Sequence, residues 1–301
     1  MPMNELNKLL SVNKGEVDGI LQLFEPKDCF NQDNVNFTFH YVRFQNNEPR
    51  TKDFINKLLD HIVSYCLNRD KYQNISPQDV RKLWYEAKQK FASPKDGKTG
   101  EPGELVTFFL LEGILNAPKI FSKMSLKTNR QMHIHGSDGV HLRVNGDDIV
   151  LFFGESKLYQ VHTTAISDAL SSVKDFVSSN NSSSNNQQDF EIQVLSDHLD
   201  LPEGETRELI LKVLDPYSKE RSNLQYVYTC FIGFDINELK ANCKPENFEL
   251  VYNSKAKSCY ENVLKKIEAD AVLKKLSWQF FFIPFGSVVD FRNEFLSRLE
   301  I

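Results

Sequence analysis

The chain has 301 residues, 26% charged and 41% hydrophobic, with a formal net charge of −5, which predicts a soluble globular protein of one large or two smaller domains. No apolar stretch approaches the ~18 residues needed to cross a bilayer, and the opening MPMNELNKLLSVNKGEVDG lacks an apolar run with a small-residue cleavage site, which argues for the cytoplasm. Five cysteines (Cys29, Cys66, Cys230, Cys243, Cys259), never spaced C-x-x-C, argue against a disulfide framework or zinc ribbon, and the acidic balance leaves any nucleic-acid contact to a local basic surface.

In chain order, the first regular pattern is the alternation over 35–44 (VNFTFHYVRF), which predicts a strand. Phe54, Leu58, Ile62, Tyr65 and Cys66 then recur at helical spacing over 51–68. Ser76-Pro77 supplies an N-cap and a first helical residue, predicting a helix to about Phe91. The turn-rich SPKDGKTGEPG (93–103) sets an N-terminal α+β extension, 1–95, apart from a core of 96–301. The extension is the expected partner-binding part.

A strongly apolar helix over 103–117 follows, closed by Pro118. Glu104 shares its face with Phe108 and Leu111, and an acid on an inward face needs a partner or a cation. The plainer reading is a first-turn acid that serves the helix dipole. Strands are expected near 130–135, 139–144 and 148–158, then a helix over 163–178. This order predicts an α/β fold, a mixed sheet flanked by helices. SSNNSSSNNQQ begins a flexible surface loop, 178–189. Beyond it the pattern gives a helix at 205–214, a strand at 226–235, a helix at 256–275, a strand at 278–285 and a helix at 287–299. These strands are expected to extend the same sheet.

The chemistry concentrates in HGSDGVHLRVNGDDIVLFFGESKLY, where Asp138 is followed by Glu155 and Lys157. Asn145-Gly146 between two apolar runs signals a hairpin, because a type I′ turn needs positive φ at both central residues. A two-residue loop there pairs Val144 with Asp147 and sets Asp138 opposite Phe153. Asp138 and Glu155 are then diagonal neighbours on one face, with Cβ atoms roughly 7 Å apart. A four-residue loop, Asn145 to Asp148, keeps the parity and sets Asp138 directly opposite Glu155. In either register both carboxylates reach one Mg²⁺ at about 2.1 Å. Asp138, Glu155 and the Ser156 carbonyl would bind the ion, with Mn²⁺ as an alternative, and Glu104 a fourth group. Lys157 would orient the attacking water and face the charge on the phosphate.

Lys119, Lys123, Lys127 and Arg130 form an acid-free basic run beside this site and are the candidate DNA contacts. Arg81, Lys82, Lys88, Lys90, Lys95 and Lys98 add to it from upstream. His133, His135 and His141 raise a zinc reading, but no H-E-x-x-H helix exists and Lys157 would compete with the metal. Backbone or DNA contacts are the expected use of these histidines.

The segments GELVTFFLLEGIL, SDGVHLRV and DDIVLFFGESKLY together resemble the HamA family, effector subunits of the bacterial Hachiman anti-phage system, and through it the PD-(D/E)xK nuclease superfamily. The likeness is clearest over 100–180. It implies a restriction-endonuclease-like core, with the superfamily's site residues carried over to Asp138, Glu155 and Lys157, and Glu104 as the acid of the first core helix. Ser137 stands where many members have proline. The resemblance further implies a metal-dependent DNA nuclease in heterodimer with a HamB-like superfamily 2 helicase, which restrains it until phage replication or DNA damage releases it. A non-catalytic helicase-docking subunit and a sequence-specific restriction endonuclease are the competing expectations.

Overall fold

Two apolar runs, YVYTCFIGFD and WQFFFIPF, form the middle of a seven-stranded sheet in the computed structural model, which describes residues 6–73, 75–76, 78–91, 100–126, 137–145, 148–178, 187–240 and 244–299. The strands are β1 (Leu21–Phe24), β2 (Val35–Val42), β5 (Lys119–Phe121), β6 (Val140–Asn145), β7 (Asp148–Leu158), β8 (Leu224–Asp235) and β9 (Ser277–Phe285), in the order β1-β2-β9-β8-β7-β6-β5. A two-stranded ribbon, β3 (Phe44–Gln45) and β4 (Glu48–Pro49), stands apart from it. β2, β9, β8 and β7 run parallel, while β1, β6 and β5 are antiparallel to their neighbours. Parallel strands must be covered on both faces, and period-two side chains supply both cores. Along β9, Trp278, Phe280 and Phe282 enter one cluster and Phe281 and Ile283 the other.

Helices make the outer layers. On one face lie α8 (His162–Val177), α9 (Gln187–Asp197), α10 (Glu205–Leu214) and α11 (Pro245–Glu268). On the other lie α1 (Lys14–Ile20), α2 (Thr51–Asp60), α3 (Ile62–Cys66), α5 (Val80–Lys88), α6 (Glu101–Leu115) and α12 (Val288–Arg298). Short α-helical turns α4 (Arg69–Tyr72) and α7 (Lys123–Leu126), and 3-10 turns at Lys219–Asn223, Asn237–Lys240 and Leu273–Lys275, lie between them. The mixed α/β sheet flanked by helices is the fold class expected, and β8 and β9 do extend the sheet. The first fifty residues contribute β1 and β2 to it, so the N-terminal extension is hydrogen-bonded into the same layer.

Several boundaries differ from the sequence reading. The 51–68 helix breaks at His61 into α2 and α3. The helix assigned to Ser76-Pro77 starts at Val80, with Asp79 at its N-cap, and ends at Lys88; Pro77 lies outside the described residues. The helix expected at 256–275 begins at Pro245, since proline is favoured in a first turn. α9 falls partly within the segment read as loop, while 179–186 lies outside the described residues, as does the strand expected near 130–135. The strand beside β6 is instead β5, bulged between Lys119 and Phe121. Cys29, Cys66, Cys230 and Cys259 are free thiols, and Cys243 lies outside the described residues.

A buried charge cluster ties the extension to the core. Arg69 donates to both the carbonyl (2.7 Å) and the carboxylate (3.0 Å) of Asp200, to the Lys119 carbonyl (2.6 Å) and to the Leu9 carbonyl (3.1 Å). Glu112 of α6 accepts from the N–H groups of Ser11 (2.6 Å), Val12 (3.0 Å) and Lys119 (3.0 Å). Lys119, expected at DNA, is 1% exposed. Its ammonium donates to the Ser64, Tyr65 and Leu67 carbonyls and lies 3.5 Å from Asp200. All three of its donors are turned inward, so none faces a phosphate. Burial pushes its pKa down to about 8.

Candidate active site

β6 begins at Val140 while β7 runs on to Leu158. Among the described residues, no strand pairs with 155–158 of β7 on that side. This notch gathers the acids. The β6–β7 ladder pairs Val140 with Phe153, Val144 with Ile149 and Asn145 with Asp148, the parity expected of the four-residue alternative, although Asn145 and Asp148 themselves pair and only 146–147 separate the strands. The two-residue loop over Asn145-Gly146, with Val144 opposite Asp147, is therefore corrected, although Gly146 itself lies outside the described residues. The ladder stops at Val140↔Phe153, and beyond it Asp138 and Gly139 both bond to Gly154, so the chain bulges there and Asp138 sits beside Glu155 and not in simple register with it. Two backbone bonds anchor the approach: Asp138 N–H donates to the Gly154 carbonyl (2.8 Å), and Gly154 N–H to the Gly139 carbonyl (2.9 Å).

The third acid arrives from α6. The helix sits close on β7, since a Cβ on Gly103 would lie 3.1 Å from Ser156 Oγ and one on Gly154 3.1 Å from Thr107 Cγ2. Only hydrogen fits easily at either position. That approach brings first-turn Glu104 over the notch. Its Oε2 accepts a hydrogen bond from Tyr65 of α3 (2.9 Å), and its Oε1 lies 3.3 Å from Lys123 Nζ. Lys123 Nζ also donates to Asp138 Oδ1 (2.6 Å), and Lys157 Nζ donates to Glu155 Oε1 (2.6 Å). Glu104, Lys123, Asp138, Glu155 and Lys157 line one cleft of about 400 Å³, together with Ser156. Glu104, Asp138, Glu155, Ser156 and Lys157, picked out by pattern, thus come together in space.

The basic run does not form the expected surface. Lys123 turns inward to the acids, Lys119 is buried as described, and Lys127 and Arg130 lie outside the described residues. Upstream, Lys88 and Lys90 are buried and Lys95 and Lys98 lie outside the described residues, which leaves Arg81 and Lys82 exposed on α5. His133 and His135 lie outside the described residues. His141 is buried with Nδ1 2.7 Å from the Ala117 carbonyl, and burial pushes its pKa down to about 3. It is a neutral core histidine bonded to backbone.

Electrostatics bear the mark of crowded carboxylates. Burial, with Asp138 nearby, pushes Glu104 up to about 7 against the pull of Lys123. Burial and the Asp138 charge likewise raise Glu155, opposed by Lys157. Lys157 is raised: burial works against its charge, but the Glu155 carboxylate outweighs it. Lys123 is raised well above the usual ammonium range, because Asp138 and Glu104 outweigh its burial.

Two residues of the site carried no sequence signal. Tyr65 sits in an apolar helical stripe and reads as core. Replacing Tyr65 with Phe should lower stability by on the order of 1–3 kcal/mol in urea unfolding, because the buried Glu104 oxygen loses its donor. Glu191 of α9 accepts from both the N–H (2.9 Å) and the hydroxyl of Ser137, and so fixes the peptide that leads into Asp138. Its helix follows a low-complexity tract, and nothing in its spacing marks it.

Burial pushes Glu191 up to about 7, opposed by its two bonds from Ser137. A carboxyl raised on folding keeps its proton while the unfolded chain has lost it, so its contribution is present below about 4.5 and lost as pH rises through about 7. His40 and His141, pushed down to about 4 and about 3, work in the opposite sense at lower pH. The measurable quantity is therefore the difference between Glu191→Gln and wild type in chelator. The variant should gain on the order of 1–3 kcal/mol relative to wild type between pH 5 and pH 8. A difference flat with pH would remove the buried titration.

The acids fit a hard cation in kind. Mg²⁺ takes oxygen donors, and Asp138 Oδ2 is buried with no hydrogen-bond partner. Glu104, Asp138 and Glu155, with the Ser156 carbonyl, are the groups that could hold it. Among the described residues, no three acidic, His or Cys side chains already stand as a metal cage; the carboxylates are drawn to Lys123 and Lys157 instead. No described helix is long and apolar enough to cross a membrane. A family model described as HamA matches residues 19–299, which include every acid and lysine of the cleft. Comparison with curated proteins gives no match.

Proposed function

The chain belongs to the HamA family, which carries a defence-related role, and from its cleft we infer that it is a metal-dependent DNA nuclease acting against phage once a partner releases it. The observation that carries this reading is the meeting of Asp138 and Glu155 in one cleft at the end of β6, with Lys157 two residues along the same strand face as Glu155. Asp138, Glu155 and the Ser156 carbonyl would hold Mg²⁺ or Mn²⁺, with Glu104 as a further oxygen donor. Held by these oxygens, such an ion would supply Lewis-acid polarisation of the scissile phosphate and a lowered pKa for a bound water. Lys157, beside Glu155, would orient the attacking water and face the charge that grows on the phosphate. Tyr65 holds Glu104 in place, and Glu191 holds the Ser137 peptide ahead of Asp138.

The DNA contacts of this reading need a basic surface other than Lys119. Arg81 and Lys82 of α5 are exposed, and Lys123 stands at the acids themselves. The partner, on the family resemblance, is a HamB-like superfamily 2 helicase, with the N-terminal extension as the docking side. The test is plasmid DNA incubated with the purified protein and Mg²⁺, against EDTA, with and without a HamB-like helicase. A metal-dependent smear is the expected result. Discrete fragments would instead favour a restriction endonuclease. No cleavage with the helicase present would make the chain a docking subunit.

A further inference from the structure

Lys123 departs from what its position in a basic run suggested. Its Nζ lies 2.6 Å from Asp138 Oδ1 and 3.3 Å from Glu104 Oε1, with the side chain 14% exposed. An ammonium this close to two buried carboxylates occupies the kind of position a cation ligated by both would take. The two lysines divide the acids between them. Lys157 takes Glu155, and Lys123 takes Glu104 and Asp138. Without these cations the notch would hold three like charges out of water, which is strongly unfavourable.

We propose that Lys123 is the site's own counter-ion, whose ammonium bridges Glu104 and Asp138 in the metal-free protein and must leave that position when a divalent ion binds. This rests on the metal-dependent reading above. The bridging position belongs to a built feature: Phe121, the last residue of β5, pairs with Val140, the first of β6, so Lys123, two residues after the one, and Asp138, two residues before the other, leave the same end of the strand pair. Asp138 Oδ2 remains buried and unpartnered, so the carboxylate that Lys123 holds keeps a coordinating oxygen unused. An ion on that carboxylate would stand beside the ammonium on its other oxygen, and like charges at such a distance repel strongly in a partly desolvated site. Metal entry is therefore an exchange of one cation for another. The freed ammonium, on a four-carbon stem, swings to the open side of the cleft.

The full-length protein is titrated with Mn²⁺, read by electron paramagnetic resonance, as wild type, Lys123→Met and Lys123→Gln. Met keeps the stem without charge, and Gln keeps a donor for Asp138 should the Met variant fold poorly. Both are expected to bind Mn²⁺ at least about tenfold more tightly than wild type, since no cation has to be displaced. In wild type, acylation of Lys123, read by peptide mass spectrometry, should be slow in chelator and accelerate with Mn²⁺. Unchanged or weaker Mn²⁺ binding by both variants would overturn the proposal, as would Lys123 labelling indifferent to Mn²⁺. If wild type cleaves DNA with Mg²⁺ while those results fail, the exchange is wrong and the nuclease reading stands. Tighter binding without cleavage in any condition would leave the exchange standing and remove the nuclease reading.

Discussion

Asp138→Asn is expected to lower magnesium-dependent DNA cleavage on the order of 10³-fold while the chain stays folded. The metal contributes several kcal/mol of charge stabilisation at the phosphate, and each ~1.4 kcal/mol is a factor of ten in rate. Asn matches Asp in size but removes the charge, and Asp138 is the residue through which the two sides of the notch meet. Its N–H is fixed to Gly154, one oxygen faces Lys123, and the other is buried without a partner. Glu155→Gln should behave alike. Lys157→Ala should fall by on the order of 10²–10³ with metal affinity retained, because its work is on the water and the phosphate. Single-turnover cleavage over a Mg²⁺ titration separates the two patterns. Cleavage at wild-type rate by Asp138→Asn would end the assignment of this site.

Asp200→Ala should cost about 3–5 kcal/mol of stability, the scale of a buried ion pair that loses one partner. Asp200 is 6% exposed and accepts from the Arg69 backbone N–H (2.7 Å) and the Arg69 guanidinium (3.0 Å), with Lys119 Nζ 3.5 Å away. Its removal leaves two buried cations, Arg69 and Lys119, with Glu112, whose Oε1 is 4.0 Å from Arg69, as the remaining acid of the cluster among the described residues. The cluster joins Leu9, α4, α6, β5 and Asp200, so its failure should loosen the extension and the core together. Urea unfolding should show one earlier transition, not the separate melting of an N-terminal part. A change below about 1 kcal/mol would mean that the cluster is hydrated and weakly coupled.

The two alternatives for Glu104 illustrate where reading from pattern runs out. Spacing put the acid on the same helical face as Phe108 and Leu111, and an inward acid needs a partner. Which partner depended on Tyr65, thirty-nine positions earlier, and on Lys123, nineteen later. The basic run from Lys119 to Arg130 is the opposite case. Charge alone reads as surface, but Lys119 opens the buried strand β5, and its ammonium reaches inward to carbonyls at the end of α3. Only the packed arrangement of those carbonyls could take an ammonium out of water.

The sequence by itself determined the parts whose physics is local. Apolar runs of strand length became β8 and β9, the apolar helix before Pro118 became α6, and period-two alternation kept Glu155 and Lys157 on one face whichever loop joined β6 to β7. Tertiary structure decided what depends on contacts between distant segments. The bond from Asp138 N–H to the Gly154 carbonyl brought Asp138 beside Glu155, and the early end of β6 opened the notch. The close seat of Gly103 on Ser156 delivered Glu104, Ser137 came to rest on Glu191 of a helix read partly as loop, and Lys123 turned from a supposed DNA contact into the cation among the acids. Side-chain periodicity is a property of a few neighbouring residues, whereas the balance of buried charge is a property of the whole fold.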